Sequence, residues 1–330
     1  MLVSVTAMTA IAGLTLATII HSTSAKAGGR SAPTADVAAT RTPGPGTTRP
    51  ASPAPPAAPA PSLTPSPSRT PTLSPSRATS AQAAVAQAVG KLDPAGRLSV
   101  AVTDAGGGAL ASYDSGGTAY DTASIVKVDI LAALLVREQH TSSGLSARQR
   151  QLATSMIESS DNDAANELWG DIGTAPGLAA ANRALGLHRT TGGDGYLWGL
   201  TQTTADDQIA LLRAVFGSGR SPLTAASRAY VSGLMTSVSD GQRWGVSAAD
   251  SNDAGFALKN GWLQRSATGL WDINSIGEVT YDGHRLLVSV LSSGQRSEQA
   301  GIDQVERVAH AVAKAYTGQD QDGTGRRLAE

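Results

Sequence analysis

The sequence predicts an α+β fold, in which both ends of the folded part build one five-stranded antiparallel sheet and a helical subdomain lies between them. Two strand-like segments joined by a glycine-rich turn stand near the start of the fold, and three more stand near its end. The intervening residues 123–238 have the apolar spacing of helices. Strands at both ends with helices between them favour segregated layers over a parallel sheet.

The predicted elements follow in the order helix, hairpin, helices, meander and helix. Apolar spacing predicts a first helix over 81–92, and alternation predicts a hairpin of 96–104 with 108–116. Gly, Pro, Ser and Asp then separate six helical segments, which are 124–138, 146–158, 163–170, 177–185, 203–216 and 223–236. The final elements are a three-stranded meander over 255–263, 274–283 and 284–294, and a closing helix over 301–316.

The segments before residue 81 are not predicted to join this fold. Residues 2–20 are apolar and uncharged and precede Ala25-Lys26-Ala27, so 1–27 is predicted to be a signal peptide or an uncleaved membrane anchor. Most of the 16 prolines fall within 28–80, which predicts a disordered linker. The domain is predicted over 81–318, with 319–330 as a flexible tail. We therefore expect a secreted or extracytoplasmic monomer that meets a membrane only through its N-terminal segment.

Composition excludes several classes of function. The 26 basic and 27 acidic residues leave no electrostatic footprint for nucleic acid, so no nucleic-acid partner is expected. The absence of cysteine excludes disulfides, thiol nucleophiles and thiolate zinc sites. The five histidines are isolated, without an HExxH pattern. No metal or other cofactor is expected.

A lysine close to a serine is the first candidate for chemistry. In the segment TASIVKVDIL, Lys127 interrupts an apolar helical face three residues after Ser124. A buried ammonium is costly unless it is paired or loses its proton. Since positions i and i+3 share a helix face, a neutral amine at 127 could activate the Ser124 hydroxyl. The alternative is a lysine whose charge extends from a core helix to solvent.

Two further segments favour the chemical interpretation. Ser160-Asp161-Asn162 lies between two predicted helices, and Lys259-Asn260-Gly261 lies in a predicted edge-like strand. Alone, the first segment would usually be a helix N-cap formed by Asp161, and the second would usually place a solvated lysine charge on the edge of a sheet. In this order after SxxK, they resemble the penicillin-recognising serine hydrolases, that is, class A β-lactamases and low-molecular-mass penicillin-binding proteins. The resemblance covers about residues 82–318.

Each segment also has a physical role of its own. Ser124 at a helix N-terminus has a backbone N–H for an oxyanion, and the Trp262 N–H on a strand edge would be the second donor. Ser160 can relay a proton to a leaving nitrogen, supported by Lys259, whose charge also attracts a substrate carboxylate. The expected catalytic residues are Ser124, Lys127, Ser160 and Lys259, and the expected substrate-binding residues are Asn162, Asn260, Gly261, Trp262 and Arg265. For Arg265, expected as a carboxylate clamp, the alternative is an ordinary surface arginine.

The resemblance implies a β-lactamase or transpeptidase type of fold and an acyl-enzyme on Ser124, but the sequence departs from the family. Class A β-lactamases use a loop glutamate to activate the deacylating water, whereas the only carboxylate in residues 187–204 is Asp194. The interval from Ser124 to Ser160 is shorter than in those enzymes, which predicts a more open cleft. Asn260 stands where the family usually has Thr or Ser. We therefore expect slow deacylation.

Three functions remain open at this point. The first is an exported serine hydrolase acylated on Ser124 by β-lactams or by peptidoglycan stem peptides of the D-Ala-D-Ala type. The second is a true β-lactamase with a rearranged deacylation apparatus. The third is a non-catalytic cell-wall binding domain, because a fold alone does not establish an activity. Turnover separates the first two, and formation of a covalent adduct separates both from the third.

Overall fold

The computed structural model describes residues 75–117 and 119–325, and it confirms the predicted fold class. The α-helices are α1 (Pro75–Gly90), α2 (Val126–Glu138), α3 (Ala147–Glu158), α4 (Asn162–Asp171), α5 (Thr174–Leu185), α6 (Ala205–Phe216), α7 (Ala225–Thr236) and α8 (Glu298–Gly325). The strands are β1 (Arg97–Asp104), β2 (Ala111–Asp114), β3 (Tyr120–Asp121), β4 (Gln202–Thr203), β5 (Phe256–Gln264), β6 (Trp271–Tyr281) and β7 (His284–Gln295). Short 3-10 turns lie at Ala123–Ile125, Trp198–Leu200, Asp240–Gln242 and Gly245–Ala249.

The main sheet joins the two ends of the domain. Its order is β2-β1-β7-β6-β5, and every neighbouring pair is antiparallel. Strand β5 is therefore an edge strand, with one side of its backbone free of ladder hydrogen bonds. A second sheet pairs β3 with β4. The sequence did not predict this sheet, because strands of two residues carry no alternation.

Helices cover both faces of the main sheet. Helices α1 and α8 bury Val85 and Val308 against one face. The helical subdomain covers the other face and buries Trp169, the largest of the fully buried side chains in the described part. Because both faces are covered, β1 is buried at every position between its two end residues.

The element bounds differ from the sequence expectations at the ends of the domain. Helix α1 begins at Pro75, before residue 81, and α8 continues to Gly325, beyond residue 318. The predicted signal segment 1–27, the linker before Pro75 and the last five residues lie outside the described residues. Within the described part, no helix has the length and apolar character needed to span a membrane.

Polar side chains cap the starts of two helices in the subdomain. Asp161 accepts a hydrogen bond from the Ala164 N–H at 2.9 Å and so caps α4, as the alternative interpretation of that segment anticipated. Ser146 and Gln149 form a capping box at the start of α3. The cap at Asp161 fixes the start of α4 and therefore the positions of its two neighbours in the chain, Ser160 and Asn162.

Candidate active site

Ser124 lies in the 3-10 turn that leads into α2, and it is half-buried. The preceding residue, Ala123, has φ 48°, which is strained for a residue with a side chain. Strand β5 passes so close to this turn that a Cβ on Gly261 would lie 2.7 Å from Ser124 N and 2.9 Å from Ile125 N. Only glycine fits there, and it places the next residue, Trp262, beside the serine.

Two backbone N–H groups lie where β5 passes close to Ser124. Arg265 N donates across the β5–β6 hairpin to Leu270 O at 2.8 Å. Because N–H directions alternate along an antiparallel strand, the N–H of Trp262 points to the open edge of β5, away from β6. The Ser124 N–H is the other group, at the start of the turn. These are the two N–H groups named from the sequence, and their role as oxyanion donors stays a prediction.

Lys127 is fully buried, and all three of its ammonium donors are used. Nζ donates to Ser160 O (2.7 Å), to Ser160 Oγ (3.1 Å) and to Asn162 Oδ1 (2.7 Å). No hydrogen bond joins Nζ to the Ser124 hydroxyl within residues 75–117 and 119–325. The amine thus lies on the expected helix, but it contacts the Ser-Asp-Asn segment rather than the serine one turn before it.

Ser160 connects the two buried lysines. Lys259 is fully buried on β5, and its Nζ donates to Ser160 Oγ (3.0 Å) and to Asn260 O (3.0 Å). A serine hydroxyl has two lone pairs and one proton. Since both lysines donate to Oγ, the Ser160 proton is left to point elsewhere. Ser160 itself has φ 58°, a second strained backbone position at the site.

Burial changes the protonation of both lysines. Desolvation lowers the pKa of Lys127 to about 7, and the charge of Asp161 opposes that change. Desolvation, and then the neighbouring Lys127 charge, hold the pKa of Lys259 well below its ordinary value. Two ammonium groups on one hydroxyl repel each other, so the pair favours a state in which one amine is neutral. A neutral amine at this place can act as a general base.

A tryptophan that the sequence analysis did not single out covers Lys127. The Trp198 ring centroid lies 4.9 Å from Lys127 Nζ, and Trp198 Nε1 donates to Asn166 Oδ1 at 2.8 Å. Trp169 Nε1 holds the same loop by donating to Gly195 O at 2.7 Å. Asp194, the only carboxylate in residues 187–204, is exposed. A loop tryptophan has no distinctive sequence pattern, so only the fold could identify its role.

Two expected substrate-binding side chains lie elsewhere. Asn260 is fully buried on the sheet face opposite Lys259 and Gly261, and its Nδ2 donates to Gln242 O (2.8 Å) and Trp244 O (2.9 Å). It therefore holds a neighbouring segment rather than facing the cleft. Arg265 forms an ion pair with Asp121 and lies 3.8 Å from Asp272. It is not the free carboxylate clamp expected from the sequence.

The chain also matches the sequence model of a known family. The model of a family described as the beta-lactamase enzyme family matches residues 138–316, more than half of the chain. The matched range includes Ser160 and Lys259 and begins after Lys127. No curated protein sequence matches the chain.

Solved structures share the fold at low sequence identity. The TLA-1 extended-spectrum beta-lactamase is 14% identical with a TM-score of 0.61, and the alignment covers 71% of this chain and 99% of that one. A beta-lactamase from Xanthomonas campestris pv. campestris is 23% identical with a TM-score of 0.57, over 72% of this chain and 98% of that one. A class A beta-lactamase from Bacteroides cellulosilyticus is 15% identical with a TM-score of 0.59, over 74% and 99%.

Proposed function

Because the chain belongs to the beta-lactamase enzyme family and is therefore a serine hydrolase, we propose that Ser124 is its nucleophile and that it forms a long-lived acyl-enzyme. The acyl donors are β-lactams or peptidoglycan stem peptides of the D-Ala-D-Ala type. The observation that carries the proposal is the pair of buried lysines on Ser160, next to a serine with two N–H donors.

The acylation step assigns a task to each of these groups. Ser124 Oγ attacks the carbonyl carbon, and neutral Lys127 takes the hydroxyl proton. Because catalytic hydrogen bonds often tighten only in the substrate complex, we place the Ser124–Lys127 contact there. The Ser124 and Trp262 N–H groups stabilise the oxyanion. Ser160 gives its proton to the leaving nitrogen as the C–N bond breaks, and Lys127 returns a proton to Ser160.

Hydrolysis of the resulting ester needs a base that activates water. Asp194 is exposed, and Trp198 covers the Lys127 amine. A missing general base typically costs about 10²- to 10⁴-fold in rate. We therefore propose that deacylation is slow, as in a penicillin-binding protein rather than a working β-lactamase.

Intact mass spectrometry tests this proposal directly. Purified protein mixed with benzylpenicillin should gain one penicilloyl adduct within minutes and release it much more slowly, and Ser124→Ala should gain none. Rapid multiple-turnover hydrolysis without an accumulating adduct would instead make the enzyme a true β-lactamase. A folded protein that forms no adduct would favour the non-catalytic binding domain.

The turn at Trp198–Leu200 allows a sharper test of slow deacylation. A Cβ on Gly199 would meet only Ala123 Cα, at 3.9 Å, and the backbone there is outside the left-handed region. A side chain at 199 would thus start close to the residue that precedes Ser124. We expect Gly199→Glu to release the penicilloyl group roughly 10²-fold faster than the matched Gly199→Gln. Equal release rates in the two variants would argue against a missing base as the cause.

We further propose that the enzyme acts outside the cytoplasm. The support is the apolar segment 2–20 with its small-residue cleavage pattern and the proline-rich segment after it. Sequencing the N-terminus of the protein recovered from the culture medium or the cell envelope would test both export and cleavage after Ala27. Recovery only from the cytoplasm would contradict it.

A further inference from the structure

A polar cavity of about 300 Å³ lies beside the candidate active site, where the β3–β4 pair meets the ends of β5, β6 and β7. Its charged lining residues are Arg97, Asp121, Arg265 and Asp272. Asp121 precedes Ser124 by three residues, and an extended chain spans at most about 3.6 Å per residue. Their Cα atoms therefore lie no more than about 11 Å apart, which is the distance that a substrate held at Ser124 would have to span.

Asp272 is a buried carboxylate that lines this cavity without a hydrogen bond. Its side chain is 7% exposed, and among the described residues no group donates a hydrogen bond to it. The nearest cationic atom, Arg265 Nη1, is 3.8 Å away. That same nitrogen donates to Asp121 Oδ2, and Gln202 donates to Asp121 Oδ1. Asp121 thus accepts two side-chain hydrogen bonds, whereas Asp272 has only the longer ion pair with Arg265.

The remaining cation of the cavity is hydrogen-bonded to another wall residue. Arg97 Nη2 donates to Ala119 O at 2.9 Å, and its guanidinium lies 4.6 Å from the Tyr120 ring centroid. A buried carboxylate that accepts no hydrogen bond is costly, and a ligand cation would supply a donor. Ala119 and Leu270 add apolar walls that suit the methylene groups of an aminoalkyl chain.

We propose that this cavity binds a primary ammonium group of the acyl donor, with Asp272 as the acceptor, and so selects substrates that carry an amine. The inference rests on the proposed function, since it names a feature of the substrate of the same site. Burial raises the pKa of Asp272 to about 6, with Arg265, Asp121 and Arg97 facing it from the β5–β6 turn, β3 and β1. The preference should therefore be full at pH 8 and weaken as the pH falls through about 6.

A matched pair of peptides tests the selection. Nα-acetyl-lysyl-D-alanyl-D-alanine has a free side-chain amine, and the Nα,Nε-diacetyl peptide does not. We expect the wild-type enzyme to prefer the free amine about 10-fold in kcat/KM, the size of one charge-assisted hydrogen bond. Asp272→Asn should reduce that ratio to about one, whereas Asp282→Asn, in the turn after the far end of β6, should keep it. A wild-type ratio near one, or a ratio unchanged in Asp272→Asn, would overturn the proposal.

A binding measurement keeps the inference separate from the acylation chemistry. If neither peptide acylates Ser124, n-butylammonium is titrated into the wild-type protein and into Asp272→Asn, and the resonances of Arg265, which is present in both proteins, are followed by NMR at pH 8. A saturable shift in the wild-type protein that is lost in the variant supports the ammonium site even though the proposed function has failed. No saturable shift in the wild-type protein refutes the site.

Discussion

Lys127 and Asp129 lie two residues apart on α2, and both are buried, but they face different parts of the molecule. Lys127 donates to Ser160 and Asn162 at the cleft. Asp129 accepts a hydrogen bond at 2.9 Å from the side-chain nitrogen of Asn182 on α5. The Asn182 amide has the orientation in which its nitrogen faces hydrogen-bond acceptors. Positions i and i+2 point to different sides of a helix. Helix α2 therefore places the Lys127 amine at the site and the Asp129 carboxylate in the helical core.

Burial acts on the two groups in the same physical way. Desolvation lowers the pKa of Lys127 to about 7 and raises the pKa of Asp129 to about 7, the latter with a smaller contribution from the Asp207 charge. Both groups therefore change protonation near neutral pH. The difference lies in their neighbours, since Lys127 contacts the Ser160 hydroxyl at the candidate site, whereas Asp129 contacts Asn182 in the helical core. A perturbed pKa thus indicates chemistry only where a reactive group and a substrate can meet it.

Removing each group in turn should separate the two roles most strongly. Lys127→Met keeps the bulk and removes the base, so acylation of Ser124 by benzylpenicillin should fall by about 10²- to 10⁴-fold. Asp129→Asn should change the acylation rate by less than about threefold. Stopped-flow or quenched mass spectrometry gives both rates. Undiminished acylation in Lys127→Met would mean that another group takes the Ser124 proton.

The pH dependence of acylation should sharpen the same contrast. If neutral Lys127 is the base, the acylation rate should rise with pH and level off above an inflection near 7. Below the inflection, the rate should fall about tenfold per pH unit. The inflection should stay at the same pH in Asp129→Asn. An inflection that moves by a full pH unit in that variant would show that the two charges are coupled. Asp129 would then also influence the chemistry of the site.

The smallest expected effect is on stability. The pKa of Asp129 is raised in the folded state, so the folded protein binds more protons than the unfolded chain between about pH 4 and 7, and the free energy of unfolding falls as the pH rises through that window. Asp129→Asn removes this penalty and should stabilise the protein by about 1 to 3 kcal/mol at pH 8. Thermal melts at pH 5 and pH 8 measure it. A lower Tm for Asp129→Asn at pH 8 would mean that the charged form is the favoured partner of Asn182.

The predictable part of the fold depends on local patterns. Alternation located β1, β5, β6 and β7, and helical spacing located the helices between them, because each pattern repeats within one element. The β3–β4 pair and the 3-10 turns at 240–242 and 245–249 were not predicted. Each of these elements is too short to show a period, and β3 and β4 are strands only because the fold brings residues 120–121 next to 202–203.

The candidate site divides in the same way. Ser124, Lys127, Ser160 and Lys259 could be found in the sequence, because nucleophiles and buried amines are rare in apolar segments and occur here in a specific order. The side-chain directions of Asn260 and Arg265 could not. Asn260 turns to the carbonyls of Gln242 and Trp244 because neighbouring residues of a strand face opposite sides of the sheet. Arg265 pairs with Asp121, a partner that only the folded chain places within reach.

The sequence by itself determined the α+β class, the order of the elements and the residue types that the chemistry needs, since these follow from local spacing and from side-chain chemistry. Only the tertiary structure decided which groups meet. It placed both lysines on one hydroxyl, Trp198 over Lys127, and Asp272 in a cavity without a hydrogen bond. These contacts join segments far apart in the chain. They depend on how the sheet and the helical subdomain pack together, and no local pattern records that packing.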